Sequence, residues 1–465
     1  MKRSERIVFA VLLLAAVLPN LALVGWAEDF VSPGQRLLYL FATVVLYAIG
    51  LCFLHKRAYF YIISLGFVFS LLEVCHLIAR HSSVTLLFLY TWFKTPPGEV
   101  LHAALPYLWL GPVVLVLWVL YYVLAHRFIE RTYIAPLQWR IPALAVLLSV
   151  FILLPVRPAP LSVLHRLGRL AATAWQVEQN QPELRHFSYG IAPKTDAVQE
   201  TVIVVTGETS YDEWCAAGYT DSLALFFDSV YTTCPVSGVS IPVLFTRATP
   251  QQQEPFFTER SVIKAFSEAG YYTAWLSNYG YHNHFLMRLA DDCRYLFYRS
   301  GVPDTALLAP FREVMAQPAT RHMVVLATQG AHDADYRTQI PVLLRQLTDS
   351  LSKVRQPAMM LYVGATNISL TDARSELHVP LVFWANPNYR YRHRAQLRQL
   401  YAQRHQRLST EIVFHSLLYL NTIDCVMTDE QKAIGSPLLE TADTIFYLDE
   451  NLRATEYSFV RPPQP

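Results

Sequence analysis

Five long apolar runs fill the first part of the chain: Ile7–Trp26, Leu37–Leu54, Tyr59–Ile78, Leu105–Ala125 and Ile141–Val156. A membrane-spanning helix needs about 20 apolar residues, with a lower bound near 17. The pattern therefore predicts a transmembrane domain of five helices over residues 1–156. The last run is short, and Trp139 and Arg140 can anchor its edge. The first follows Met1-Lys2-Arg3-Ser4-Glu5-Arg6, a start that also suits a signal peptide. No convincing small-residue cleavage site follows and more runs do, so a retained helix is expected. Lys2, Arg3 and Arg6, then Lys56 and Arg57, then Arg127, Arg131 and Arg140 fall on one side of the predicted spans. Positive charge marks the cytoplasmic side. An odd number of spans puts everything after Val156 outside, in the periplasm of a Gram-negative cell.

Residues 157–199 change character. Leu161, Leu164, Leu167, Leu170 and Ala171 recur at helical spacing among His165, Arg166 and Arg169, which predicts an amphipathic helix on the membrane surface. Gln179–Lys194 is polar with Pro182 and Pro193, and reads as a linker. From residue 200 to 465 strand-like runs alternate with helical ones. Val202–Val205, Tyr271–Leu276, His322–Ala327, Met359–Val363 and Pro380–Trp384 read as strands. Ser261–Ala269, Gln339–Val354, Tyr391–Arg407 and Glu411–Leu420 read as helices. This alternation predicts helices around a mostly parallel sheet.

Composition agrees with a membrane part: 53% of the 465 residues are hydrophobic and the mean hydropathy is +0.24. A net charge of +2 gives no argument for nucleic acid. Cys215, Cys234, Cys293 and Cys425 lie beyond the apolar runs, where a periplasmic location permits disulfides, with the pairing left open. No Cys-x-x-Cys occurs, which argues against a zinc finger.

The chemistry concentrates in Thr201–Arg247. The buried-strand run Val202–Val205 ends in Thr206-Gly207-Glu208-Thr209-Ser210, and a carboxylate there sits where open α/β sheets place ligands. Cys234-Pro-Val-Ser237-Gly-Val-Ser240-Ile-Pro242 follows, with a small hydroxyl residue opening an apolar helical run, a position that suits a nucleophile. The order Gly-Glu-Thr, Gly218-Tyr219, Cys-x-x-Ser-x-x-Ser-x-Pro resembles the bacterial phosphoethanolamine transferases of the alkaline phosphatase/sulfatase superfamily. Further marks fall in the same order. Ala269-Gly-Tyr271 leads to Trp275-Leu-Ser-Asn278, Leu326-Ala-Thr328-Gln-Gly330-Ala-His332 looks like L-H-T-x-G-S-H, and Val379-Pro380-Leu-Val-Phe-Trp384 looks like V-P-x-x-F-W. Thr95-Pro96-Pro97-Gly98-Glu99 loosely matches a segment that lies near the lipid donor in the family.

The resemblance implies a periplasmic sulfatase-like domain behind the five helices, in the inner membrane. It implies zinc, held by Glu208 and by a nucleophile at Ser237, with Ser240 left as the alternative. It implies that His332 contacts the phosphoethanolamine group, that the donor is a membrane phospholipid, and that the acceptor is lipopolysaccharide, lipid A or another envelope glycan. One family motif is broken. The zinc-binding Asp-His of S-D-H-G-E-S falls on Ala365 and Thr366, and neither replaces that pair on zinc. Asp372 and His378, in the loop beyond, are the candidate substitutes. Two functions therefore stay open. One is an active transferase, and the other is a catalytically inactive relative that binds or scaffolds in envelope glycan modification. Glu73 and His76, three residues apart in the third run, are ionisable groups at membrane depth, with a snorkelling pair as the simpler account.

Overall fold

The computed structural model describes residues 3–26, 33–54, 56–80, 109–132, 184–194, 199–278, 288–332, 335–365, 377–441, 444–449 and 452–457, with isolated positions between 142 and 175. The chain divides into two compact units, Met1–Thr173 and Ala174–Pro465.

The first unit is helical. Its helices are Arg3–Trp26, Pro33–Phe53, Leu65–Arg80 and Leu110–Thr132. Among the described residues, three stretches are long and apolar enough to cross a membrane: Arg3–Ala22, Arg36–Phe53 and Leu110–Arg131. The third predicted run is built from a short helix Lys56–Tyr59, a π-helical turn Phe60–Ser64 and the helix Leu65–Arg80. Side chains pack tightly around that turn. A Cβ on Gly50 would lie 2.9 Å from Ile63, Trp118 donates to Ser64 at 2.8 Å, and the Tyr59 and Tyr121 hydroxyls meet at 2.5 Å. Buried polar side chains make hydrogen bonds between helices. Tyr39 donates to Asn20 at 2.8 Å, and Asn20 donates to Ser70 at 3.4 Å. Glu73 lies buried on the same helix as Ser70. The fifth run, the amphipathic connector stretch and Thr95–Glu99 lie outside the described residues, isolated positions aside.

The second unit is built on one sheet. Its strands are β1 (Glu200–Glu208), β2 (Ala224–Phe227), β4 (Tyr272–Ser277), β5 (Tyr295–Tyr298), β6 (Arg321–Thr328), β7 (Ala358–Ala365) and β8 (Leu381–Ala385), in the order β2-β8-β7-β1-β6-β4-β5. Two short strands, β3 (Val230–Tyr231) and β9 (Leu408–Ser409), pair with each other, as do β10 (Ile445–Leu448) and β11 (Ala454–Tyr457). The strands from β7 to β5 across the sheet run parallel, as the alternating pattern predicts, while β8 is antiparallel to both β7 and β2.

Every residue of β1, β6 and β7 is buried, because helices cover both faces. Alternate side chains supply two cores. Val202, Val204, Val325 and Leu361 pack with Phe245, Phe266 and Phe414 on one face. Ile203, Val205, Val324 and Tyr362 pack with Trp214, Phe311 and Leu343 on the other. One predicted element is divided. The helix expected over Tyr391–Arg407 is two helices, Pro387–Arg392 and Arg394–Gln403. The break falls at His393, whose buried ring stacks on Tyr389 at 4.2 Å.

Candidate functional site at the strand ends

The carboxyl ends of β1, β6 and β7 form one edge of the sheet, where open α/β folds bind ligands. Gly207 is in register with both Thr328 and Gly364, and Glu208 is in register with Ala365. Glycine is required at three positions here, and a Cβ on Gly364 would collide with the Thr209 carbonyl and Pro380. A Cβ on Gly207 would collide with the Thr328 hydroxyl. Gly330 holds φ +64, and a Cβ there would collide with the backbone of Glu208. The loop after β6 therefore lies against the end of β1, which brings the 3-10 turn Gly330–His332 to Glu208.

Beyond Glu208 the backbone is fixed at each step. Thr209 N–H donates to the Ala365 carbonyl at 2.7 Å. The Tyr362 hydroxyl donates to the Thr209 hydroxyl at 2.9 Å, with Tyr336 3.1 Å further along the buried chain. Ser210 caps the helix Tyr211–Ala217 in a capping box with Glu213. Glu208 itself is buried. Helix Ser237–Leu244 packs on β1 and β7, with Ser237 as its first residue. Ser240, one turn on, is 1% exposed, so its hydroxyl is closed to any substrate, while Ser237 stands at the helix start.

His378 is in the same edge cluster, since Tyr211 N–H donates to its carbonyl at 2.9 Å. Its ring is sandwiched between Tyr211, at 4.0 Å, and Tyr231, at 5.3 Å. Its Nε2 lies 3.0 Å from the Asp228 carbonyl, and burial lowers its pKa, so the ring is neutral at pH 7. Asp372 lies outside the described residues.

Sequence reasoning missed a buried clamp. Asp304 is fully buried and accepts from Asn278 Nδ2 at 2.8 Å, from Gln329 N–H at 3.0 Å and from Gly330 N–H at 3.3 Å. Asn278, the last residue of the Trp275–Asn278 motif, also accepts from Gln329 N–H at 3.2 Å. Together they set the loop that carries His332. Asp304 gave one signal in the sequence, an acid placed directly after Pro303 at a helix start. The four cysteines expected to be able to form disulfides are present as free thiols, with Cys234 and Cys425 buried.

Comparison with known proteins agrees with this architecture. Residues 200–368 match the Sulfatase family model. No curated protein matches. Among solved structures, the integral membrane protein lipooligosaccharide phosphoethanolamine transferase A of Neisseria meningitidis aligns at TM-score 0.59 and 15% identity, over 92% of this chain and 98% of that one. The C-terminal periplasmic domain of EcEptC from Escherichia coli, in complex with Zn, aligns at TM-score 0.51 and 15% identity, over 58% of this chain and 95% of that one. At these identities the likeness is one of fold: a helical unit followed by a sulfatase-like α/β unit.

Zinc was expected from the resemblance, and the E. coli domain was crystallised with it. The described residues do not fit that ion. The register partner of Glu208 is Ala365, a buried methyl group. Among the described residues no group of three His, Cys, Asp or Glu side chains could hold a metal. A catalytic zinc takes about three protein ligands and keeps one position open.

Proposed function

We propose that this chain is a phosphoethanolamine transferase of the cell envelope. In this reading residues 1–156 are a five-helix domain in the inner membrane, residues 157–199 connect, and residues 200–465 work in the periplasm. The observation that carries the proposal is the extent of the fold agreement. It runs through both units, over 92% of this chain, to a phosphoethanolamine transferase.

The transfer has two displacements. The Ser237 oxygen attacks the phosphorus of a membrane phospholipid such as phosphatidylethanolamine. The phosphorus–oxygen bond to diacylglycerol breaks, and diacylglycerol leaves with the serine proton. An oxygen of lipopolysaccharide, lipid A or another envelope glycan then attacks the phosphoserine, and Ser237 regains a proton. His332 holds the phosphoethanolamine group, and Glu208 lies in the floor of the site. In-line displacement at phosphorus depends on positioning and on neutralising oxygen charge.

Ala365 favours a second reading. A serine hydroxyl is a weak nucleophile without a metal or a base, and a methyl group stands where the second acid would be. The domain would then hold the headgroup without turnover and act as a binding or scaffold protein. Intact-mass spectrometry of the full-length protein, purified from a phosphatidylethanolamine-rich membrane, separates the two. An adduct of one phosphoethanolamine that Ser237→Ala abolishes supports transfer. A folded protein that binds phosphatidylethanolamine without an adduct supports the second reading. A folded protein with neither adduct nor binding overturns both.

A further inference from the structure

The two helices after β8 present a basic face that the strand-end site does not use. From Asn386 to Thr410 the chain has six arginines and no Asp or Glu. Tyr389, His393, Leu397, Leu400 and Gln403 turn inward and are buried. Arg392, Arg394, Arg398 and Arg404 turn outward and are exposed. Two aromatic rings stand among them, Tyr391 at 73% exposure and Tyr401 at 45%.

Arg394 and the neighbouring Arg390 are held by specific contacts. The Arg394 guanidinium lies over the Tyr391 ring at 4.4 Å. Arg390 donates to the Ala385 carbonyl at 3.0 Å and to the Leu223 carbonyl, and its second nitrogen reaches the Tyr401 hydroxyl at 3.3 Å. At the far end Asp228 is within 2.5 Å of His405 and so pairs with a histidine, while the two helices themselves carry no carboxylate to offset their arginines.

We propose that this face docks on the anionic phospholipid headgroups of a bilayer. Charge complementarity selects the occupant. Exposed arginines with interfacial tyrosines match a layer of lipid phosphates, where each basic residue contributes about 1 kcal/mol within a Debye length of the surface. The apolar side of the helices is spent on the protein core, so the contact is electrostatic and lies flat without insertion. Among the described residues three helices of the same chain are long and apolar enough to cross a membrane, which raises the effective concentration of such a surface. The inference rests on the membrane-anchoring part of the proposed function and not on catalysis.

The test is hydrogen–deuterium exchange on the full-length protein in nanodiscs, of phosphatidylcholine alone or with phosphatidylglycerol added. Incorporation reports the anchoring, and exchange reports the docking. Amides over residues 391–404 gain protection in the anionic discs and lose it in high salt. The triple variant Arg394→Gln, Arg398→Gln, Arg404→Gln lowers the docking constant roughly a hundredfold, from about 1 kcal/mol per charge. The matching triple Arg→Lys variant keeps the charge and keeps the protection. Equal exchange in both lipids, protection that appears only when lipopolysaccharide is added, or a Lys variant that behaves like the Gln variant would each overturn bilayer docking.

Discussion

Glu208 and Ala365 are register partners on adjacent strands, at the last positions of β1 and β7. The pairing puts one carboxylate and one methyl group side by side at the edge where the candidate site forms. Sheet register is fixed here by two buried faces, since a one-residue slip would exchange the side chains of the two cores. An acid introduced at Ala365 would therefore stand at a defined place, beside Glu208.

Adding donors at this edge gives the first prediction. Ala365→Asp combined with Thr366→His places an acid in register with Glu208 and an imidazole beside it in sequence. Calorimetric titration of metal-free protein with zinc is expected to show binding at least tenfold tighter in the double variant than in the parent, or about 1.4 kcal/mol. Glu208→Ala in the double-variant background should remove the gain. Equal affinity in parent and double variant would mean that the strand ends cannot assemble a zinc site.

Much of this domain could be read from the chain. Val202–Val205 falls inside β1, and the other four predicted strands end within two residues of observed ones. A strand buried on both faces is an unbroken apolar run bounded by turn residues, which is why it is legible. The gathering of Glu208, Gly330 and the Ser237 helix follows from the same strands, since each motif directly follows or packs on one. What escaped was set by packing. The break in the basic helix falls at His393, whose burial the periodic pattern conceals. Asp304's partners Gln329 and Gly330 are distant in sequence. Ser240 is buried, which spacing alone does not reveal.

Gly330 should tolerate no side chain. Its φ of +64 lies in the left-handed region, and a Cβ would meet the Glu208 backbone, which cannot move without breaking β1. Overpacking costs about 1–3 kcal/mol, and the left-handed conformation adds about 1 kcal/mol. Gly330→Ala is expected to destabilise the second unit by roughly 2–4 kcal/mol, read as a lower melting temperature. Gly190 has a similar φ of +69 with open space around it, so Gly190→Ala is the control and should shift melting far less.

Asp304 makes a separate prediction about the loop that carries His332. Removing its carboxylate takes the acceptor from the buried Gly330 N–H, while Gln329 N–H keeps the Asn278 Oδ1 and Asn278 Nδ2 keeps the Val302 carbonyl. An unsatisfied buried donor costs about 1–3 kcal/mol. Asp304→Ala should therefore cost about 1–3 kcal/mol, and Asp304→Asn, which keeps an oxygen of the same shape, should cost less. Hydrogen exchange at Gln329 and Gly330 should rise in the Ala variant before exchange in β1 does. Unchanged protection of those two amides would contradict the clamp.

The last prediction concerns acid. Burial lowers the pKa of both His393 and His415 to about 4, from an ordinary 6.5. Asp429 and Glu200 oppose this lowering, while Arg392, Lys194, Lys432 and Arg247 add to it. His415 also accepts a hydrogen bond from Asp429 N–H at 3.0 Å, which requires a bare ring nitrogen. Between pH 6.5 and 4 the unfolded chain binds these protons and the folded chain does not, so stability falls as pH falls through that window. Above 6.5 the contribution is complete. A tenfold difference in proton affinity between the folded and unfolded chain is worth about 1.4 kcal/mol, so two such histidines make the second unit steeply acid-sensitive. Melting temperature against pH should drop through this window in the parent. His415→Gln should flatten the slope even where it lowers stability at neutral pH. A slope identical in parent and variant would remove His415 from the account.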